Sequence, residues 1–202
     1  MKWTTAVRTL TDVGAACTKA AAIPSAVMPL RITSAWVHGV LLGPRRDAVD
    51  DLDGVAVALA ADVAEDACPW LTQPTGAGQW LNATGMEKRP VALVFRSAHA
   101  PIFNHRVQRP VRFWDVEGGV DSAVLAAIDT GEGERLRPGA VSAAELTARV
   151  GAELAVSLAA VRAASADFDG HRWAPGSPLK RADALAAAVT GYLDLLEMSR
   201  PT

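Results

Sequence analysis

GVLLGPRRDAVDDLD, Gly39 to Asp53, separates two apolar runs and decides how the rest of the chain is read. Before it lies LRITSAWVH, Leu30 to His38, and after it lies GVAVALA, Gly54 to Ala60. Short apolar runs bounded by glycine, proline and aspartate read as strands, so the segment reads as strand, tight glycine loop, strand. The second strand opens with Asp51-Leu52-Asp53. Side chains at i and i+2 of a strand point to one face, which sets the two carboxylates side by side and turns Leu52 away. Adjacent carboxylates repel, and the pair becomes favourable when a cation or a proton joins them. Hard oxygen ligands suit Mg²⁺, which commonly takes one or two carboxylates together with substrate phosphates. Asp50, Asp51 and Asp53 also fit a solvated turn ahead of a core strand, because aspartate is a common turn residue.

Working outward, the N-terminal stretch Lys2 to Ala21 has Trp3, Val7, Leu10, Val13 and Cys17 at spacings of three and four, the pattern of an amphipathic helix. Pro24 and Pro29 bracket a connection to the first strand, Leu30 to Val37, with Ile32 and Trp36 expected on one face. Val55, Val57 and Leu59 alternate with alanines, as in a strand buried on both sides. Asp62 to Ala67 reads as a helical turn, and Gln79 to Thr84 as a short helix ended by Gly85. Strands follow at Val91 to Phe95 and Val111 to Trp114. Gly118-Gly119 punctuates, and Asp121 is placed to cap a helix through Ile128. Thr130 to Gly139 reads as a mobile connection.

Beyond it the periodicity changes. Ser142-Ala143-Ala144-Glu145 has the form of a capping box. Leu146, Val150, Leu154, Leu158 and Val161 make one helical stripe, and Leu185, Val189, Tyr192, Leu193 and Leu196 another. Ser177-Pro178 marks the second helix start. The expected fold class is therefore α/β (α+β): a mixed sheet of about four strands flanked by helices. Residues 1–139 form the α/β core and 140–202 a C-terminal two-helix hairpin packed on it.

The chain has 202 residues, half of them apolar but only 5% aromatic, with alanine making up much of the difference. Alanine-rich helices with few lysines point to a bacterial source of high GC content. A formal charge of −2 excludes a global basic field for nucleic acid. Cys17 and Cys68 lie far apart and outside any zinc-like spacing, so buried free thiols are expected. No continuous apolar run follows Lys2, and no window reaches the ~18 apolar residues of a membrane span. A soluble, cytoplasmic protein is expected.

The segment from Gly39 to Asp53 resembles the signature of the nucleotidyltransferase superfamily of the DNA polymerase β type. Gly39 matches the turn glycine after the first strand, and Asp51 and Asp53 match the metal carboxylates of the Asp-x-Asp. Val40 departs from the pattern: it stands where the family usually has Ser or Gly touching the nucleotide phosphate. Gly54 departs too, at a position usually held by an apolar strand residue. With its flanking strands the resemblance covers about a quarter of the chain. It implies a divalent cation (Mg²⁺ or Mn²⁺), a nucleoside triphosphate as substrate, and an acceptor it does not specify: a small molecule, a protein or RNA. Such sites usually add a third carboxylate from a neighbouring strand, for which Asp115, closing Val111 to Trp114, is the candidate, with Glu117 as alternate. Arg45 and Arg46 in the glycine loop are placed to offset phosphate charge. The resemblance leaves open a catalytically inactive member of the same fold, used as a binding or regulatory module. Val40 favours that alternative.

Other polar groups have structural readings beside functional ones. Ser97 to Arg109, with His99, His105, Arg106 and Arg109, reads as an exposed hairpin connection or as an anion-binding lip. His171-Arg172-Trp173 with Lys180-Arg181, at the join of the terminal helices, reads as a corner anchored on the core by Trp173, or as an acceptor-holding surface. No P-loop, dinucleotide GxGxxG or GxSxG turn occurs.

Overall fold

Helix α1, Trp3–Ala21, forms over the three-and-four spacing of its apolar residues and buries Trp3, Leu10, Val13 and Cys17 at 1% exposure or less. Burying a side chain of this size is worth about 1.5–3 kcal/mol, so this single face is a major part of the core. The Trp3 indole, too polar to bury unpaired, donates to the Ile128 carbonyl at 3.2 Å. The structure, a computed structural model, describes residues 1–49, 54–171, 173 and 178–199.

The sheet has five described strands: β1 Ile32–His38, β2 Ala56–Ala61, β3 Ala92–Ser97, β4 Val111–Asp115 and β5 Gly119–Val120. Their order is β3-β2-β1-β4-β5. β2 and β3 run parallel, and the remaining pairs are antiparallel. The expected alternation along β1 does not hold. The register slips between Ile32 and Ser34, a bulge that inserts one residue and reverses the faces beyond it. Ile32 therefore packs with Ala35 and Val37 on the α1 side, and Trp36 lies on the opposite side. β5, only two residues long, carries no pattern that marks a strand. β2 is buried on both faces, with Val57 and Leu59 toward α1 and Ala58 toward the C-terminal helices.

Helices α2 (Ala77–Thr84) and α3 (Ser122–Asp129) join α1 in the layer on one face. α2 places Trp80 edge-on to Phe95 at 6.4 Å. Asp121 caps α3 by accepting from the Ala123 and Val124 amides. Helices α4 (Ala143–His171) and α5 (Pro178–Ser199) form the C-terminal hairpin on the other face. Ser142 and Glu145 make the reciprocal capping box at the start of α4: the Glu145 amide donates to Ser142 Oγ, and the Ser142 amide to Glu145 Oε2. The 130–139 connection, expected to be mobile, contains a 3₁₀ turn at Gly133–Leu136 and a set of guanidinium contacts from Arg137. Trp173 does not anchor a corner; it is 88% exposed. Among the described residues, no helix is long and apolar enough to cross a membrane.

Candidate functional site

The end of the sheet where β1 finishes and β2 begins is the site marked by the sequence. β1 ends at His38, and Gly39 takes φ +78°, a conformation that suits glycine because it lacks Cβ. The chain then enters a 3₁₀ turn, Gly39–Leu42. Leu41 and Leu42 are fully buried and Val40 packs against the same core, which gives Val40 a role in packing. Arg137 closes the turn from outside, donating from Nη2 to the Gly39 carbonyl at 2.7 Å and from Nη1 to the Gln108 carbonyl at 3.3 Å. Its Nε pairs with Glu134 at 2.8 Å.

His38 pairs across the sheet with Ala56, at the start of β2. Burial, with the Arg137 charge adding to it, pushes its imidazole down to about 4, so it is neutral at neutral pH. Its Nε2 is buried and has no hydrogen-bond partner among the described residues. Arg45 and Arg46 are exposed, and Arg45 Nη1 reaches the Asp129 carbonyl at 3.2 Å. Asp51 and Asp53 lie outside the described residues. The chain resumes at Gly54 and Val55, both buried, and leads directly into β2.

Asp115 stands elsewhere. β4 runs antiparallel to β1, so Asp115 pairs with Ser34, which pairs in turn with Ala60, while Ala56 marks the start of β2. At ~3.3 Å per residue, Asp115 is about 13 Å along the sheet from that start. Its carboxylate accepts from the Gly118 amide at 2.6 Å and the Glu117 amide at 3.0 Å, closing the turn into β5. The Gly118 bond, with help from the Glu117 amide and Arg112, holds this carboxyl below the usual carboxylate range against the opposing effect of desolvation. The strand residues that flank the start of β2 are His38 on β1 and Ala92 on β3, with Val91 just before it, and none is acidic. Among the described residues no group of three or more His, Cys, Asp or Glu side chains could hold a metal ion.

The connection from Ser97 to Arg109 is not a hairpin. β3 is an edge strand and β4 lies beyond β1, so the segment crosses the sheet under the helical hairpin. This buries Asn104, His105 and Val107. Two polar knots result. In the first, Arg96 of β3 pairs with Glu153 of α4, at 3% and 4% exposure. Glu153 also accepts from Asn104 at 3.0 Å and forms an ion pair with Arg149 at 2.8 Å, and Arg149 pairs with Glu65. In the second, Asp194 of α5 accepts from the Trp70 indole at 2.8 Å and meets His105 Nε2 at 2.6 Å and Arg106. Burial pushes the Asp194 carboxyl up, but the bonds from Arg106, Trp70 and His105 outweigh it and hold the group below its ordinary range. Arg96 also stands over the Trp70 ring at 5.3 Å, linking the knots. Every charge here has an opposite partner, as buried charges require, so the chemistry is that of a docking interface. The sequence carried one signal of it: Glu153 is acidic yet falls in helical phase with the buried Val150 and Ser157.

Cys17 and Cys68 are free and buried, with burial pushing their thiols up to about 12 and about 11. His171 and Arg181 both meet Asp167 near the hairpin tip, where Arg172 lies outside the described residues.

Fold and site together define a mixed α/β (α+β) protein, a five-stranded sheet between a layer of three helices and a C-terminal helical hairpin. The model of a family described as a domain of unknown function (DUF7711) matches residues 1–201, and the chain belongs to that family. No curated protein and no solved structure matches it.

Proposed function

We propose that the protein is nucleotidyltransferase-like and engages a nucleoside triphosphate through a divalent cation, Mg²⁺ or Mn²⁺, at Asp51 and Asp53. The observation that carries this reading is the strand–glycine–strand unit: β1 ends at His38, Gly39 turns the chain at φ +78°, and the chain returns antiparallel as β2 directly after Asp53-Gly54-Val55. Two carboxylates supply hard oxygen donors, and phosphate oxygens and water complete such a shell. Arg45 and Arg46 offer guanidinium groups to the phosphates. The reading places the protein in the cytoplasm, where this nucleotide chemistry is available and Cys17 and Cys68 stay reduced.

A second reading, binding without transfer, is favoured by one specific observation. Neither strand beside the start of β2 brings a carboxylate there, and Asp115 serves the β4–β5 turn at the far end. On this reading the domain is a binding or regulatory module. Calorimetry with each nucleoside triphosphate and Mg²⁺ or Mn²⁺ tests the shared claim: saturable heat in the wild type that is lost in Asp53→Asn is expected. Absence of heat at millimolar nucleotide refutes both readings. Pyrophosphate release, or transfer of an α-labelled nucleotide to cell protein or RNA, then separates transfer from binding alone.

A further inference from the structure

We propose that the trench on the hairpin side of the sheet, beside Trp36, is a binding site for a small planar aromatic anion. The cavity is about 240 Å³ and is walled by Trp36, Ile102, Phe103, Pro110, Pro138 and Val141, with Arg109 at its edge. It continues past Phe103, Arg109 and Val141 into a second hollow of about 120 Å³. A cavity of ~150 Å³ accepts benzene, so the larger space suits one or two fused rings.

The walls are set before any ligand arrives. Trp36 is fixed by β1, and its indole donates to Ser34 Oγ at 2.9 Å. Pro110 and Pro138 have restricted backbones. A preformed wall spares the ligand the ordering cost of binding. The helical hairpin leaves the trench open: Val141, just ahead of α4, remains 39% exposed.

The charge around the rim selects the ligand's sign. Arg112 pairs across the sheet with Trp36 and holds its guanidinium 5.9 Å from the Trp36 ring, while its side chain is 54% exposed. Arg109 takes φ +46°, a rare conformation for a residue with a long side chain. Its guanidinium is pinned by the Pro138 carbonyl at 2.8 Å and Glu134 at 2.7 Å. Three guanidiniums, Arg109, Arg112 and Arg137, meet the two carboxylates of Glu134 and Asp115. The excess is positive. A ring against Trp36 and Phe103 gains aromatic contact, and a carboxylate or sulfonate on that ring gains a charge-assisted bond to a guanidinium. None of these residues belongs to the Asp51–Asp53 motif, so the trench stands whether or not that motif binds metal.

Calorimetry on the full chain in EDTA, with 2-naphthoate as probe and 2-naphthylmethylamine and 2-naphthalenemethanol as controls, tests the proposal. Saturable one-to-one binding of naphthoate, at least tenfold tighter than the amine, is expected. Val141→Trp fills the trench from an exposed position and should weaken naphthoate at least tenfold with the melting temperature retained. Arg112→Gln, on an exposed side chain, should weaken naphthoate several-fold and leave the alcohol unchanged. Arg109→Gln should do the same wherever its melting temperature shows that it folds. The proposal is overturned by the absence of saturable binding at millimolar naphthoate, by unchanged binding in Val141→Trp, or by an amine that binds as well as the carboxylate.

Discussion

Gly191 is the position at which one methyl group should undock the helical hairpin. It lies inside α5, where glycine is a poor helix former, so local propensity alone favours replacing it with alanine by about 1 kcal/mol. A Cβ built there would lie 2.0 Å from the Trp70 carbonyl oxygen and 2.9 Å from its carbon. Carbon and carbonyl oxygen meet at ~3.3 Å, so α5 would have to retreat by about 1.3 Å. The obstacle is backbone and cannot rotate aside. Retreat would also stretch the 2.8 Å bond from the Trp70 indole to Asp194, three residues along the same helix. Overpacking costs about 1–3 kcal/mol, and against backbone that cannot rotate aside the upper part of that range applies, about 2–3 kcal/mol, which exceeds the propensity gain. Gly191→Ala should therefore lose about 1–2 kcal/mol net, lowering Tm by roughly 2–8 °C in a chain of this size. Gly151 is the internal control. It is in α4, exposed, and a Cβ there meets nothing within 4 Å. Gly151→Ala should gain about 0.5–1 kcal/mol. Thermal and urea unfolding of both variants decide the matter. A Gly191→Ala protein as stable as the wild type would refute the claim that α5 is seated backbone-to-backbone on Trp70.

Two further outcomes follow from the titratable groups. Asp194 titrates lower in the folded chain than in the unfolded one, so its stabilisation is complete above the unfolded value near ~3.9 and is lost as pH falls through the folded value. The Tm advantage of wild type over Asp194→Asn should thus be constant near neutral pH and shrink below about pH 4; the depressed carboxyls Asp115 and Glu145 are common to both proteins and cancel in the comparison. A difference that grows in acid would contradict the assignment. Cys17 and Cys68, with thiols at about 12 and about 11, should resist a thiol reagent at pH 8 in the folded chain and react together on unfolding. Fast labelling of either in the native protein would count against their burial.

Periodicity made the helices legible. The stripe of α1, the capping box at Ser142, the proline start of α5 and the Asp121 cap each rest on interactions within a few residues, and all four recur in the structure. What pattern could not supply depends on contacts distant in sequence. The bulge after Ile32 reverses a face without changing the composition of β1. The 97–109 segment has loop composition, yet Asn104, His105 and Val107 within it are buried because β4 lies on the far side of β1 and the segment must cross the sheet. Trp173 is aromatic, as an anchor would be, but it stands 88% exposed near the hairpin tip.

The candidate site shows the same division more sharply. The glycine turn ends β1, and β2 is the next strand of the same antiparallel pair, so their adjacency follows from the pairing of neighbouring elements. A third carboxylate has to come from another strand, and its position depends on one topological choice, the direction of β4. Had β4 run parallel to β1, its last residue, Asp115, would lie beside His38, one strand across from the start of β2. It runs antiparallel, which brings Val111 toward that end and carries Asp115 to the other. There Asp115 takes the role that a short polar side chain at a strand end commonly fills, accepting the amides of the next turn. The strand pattern Val111 to Trp114 is the same in either direction. Asp115 was therefore legible in the sequence as a carboxylate closing a strand, while its separation from the start of β2 was not.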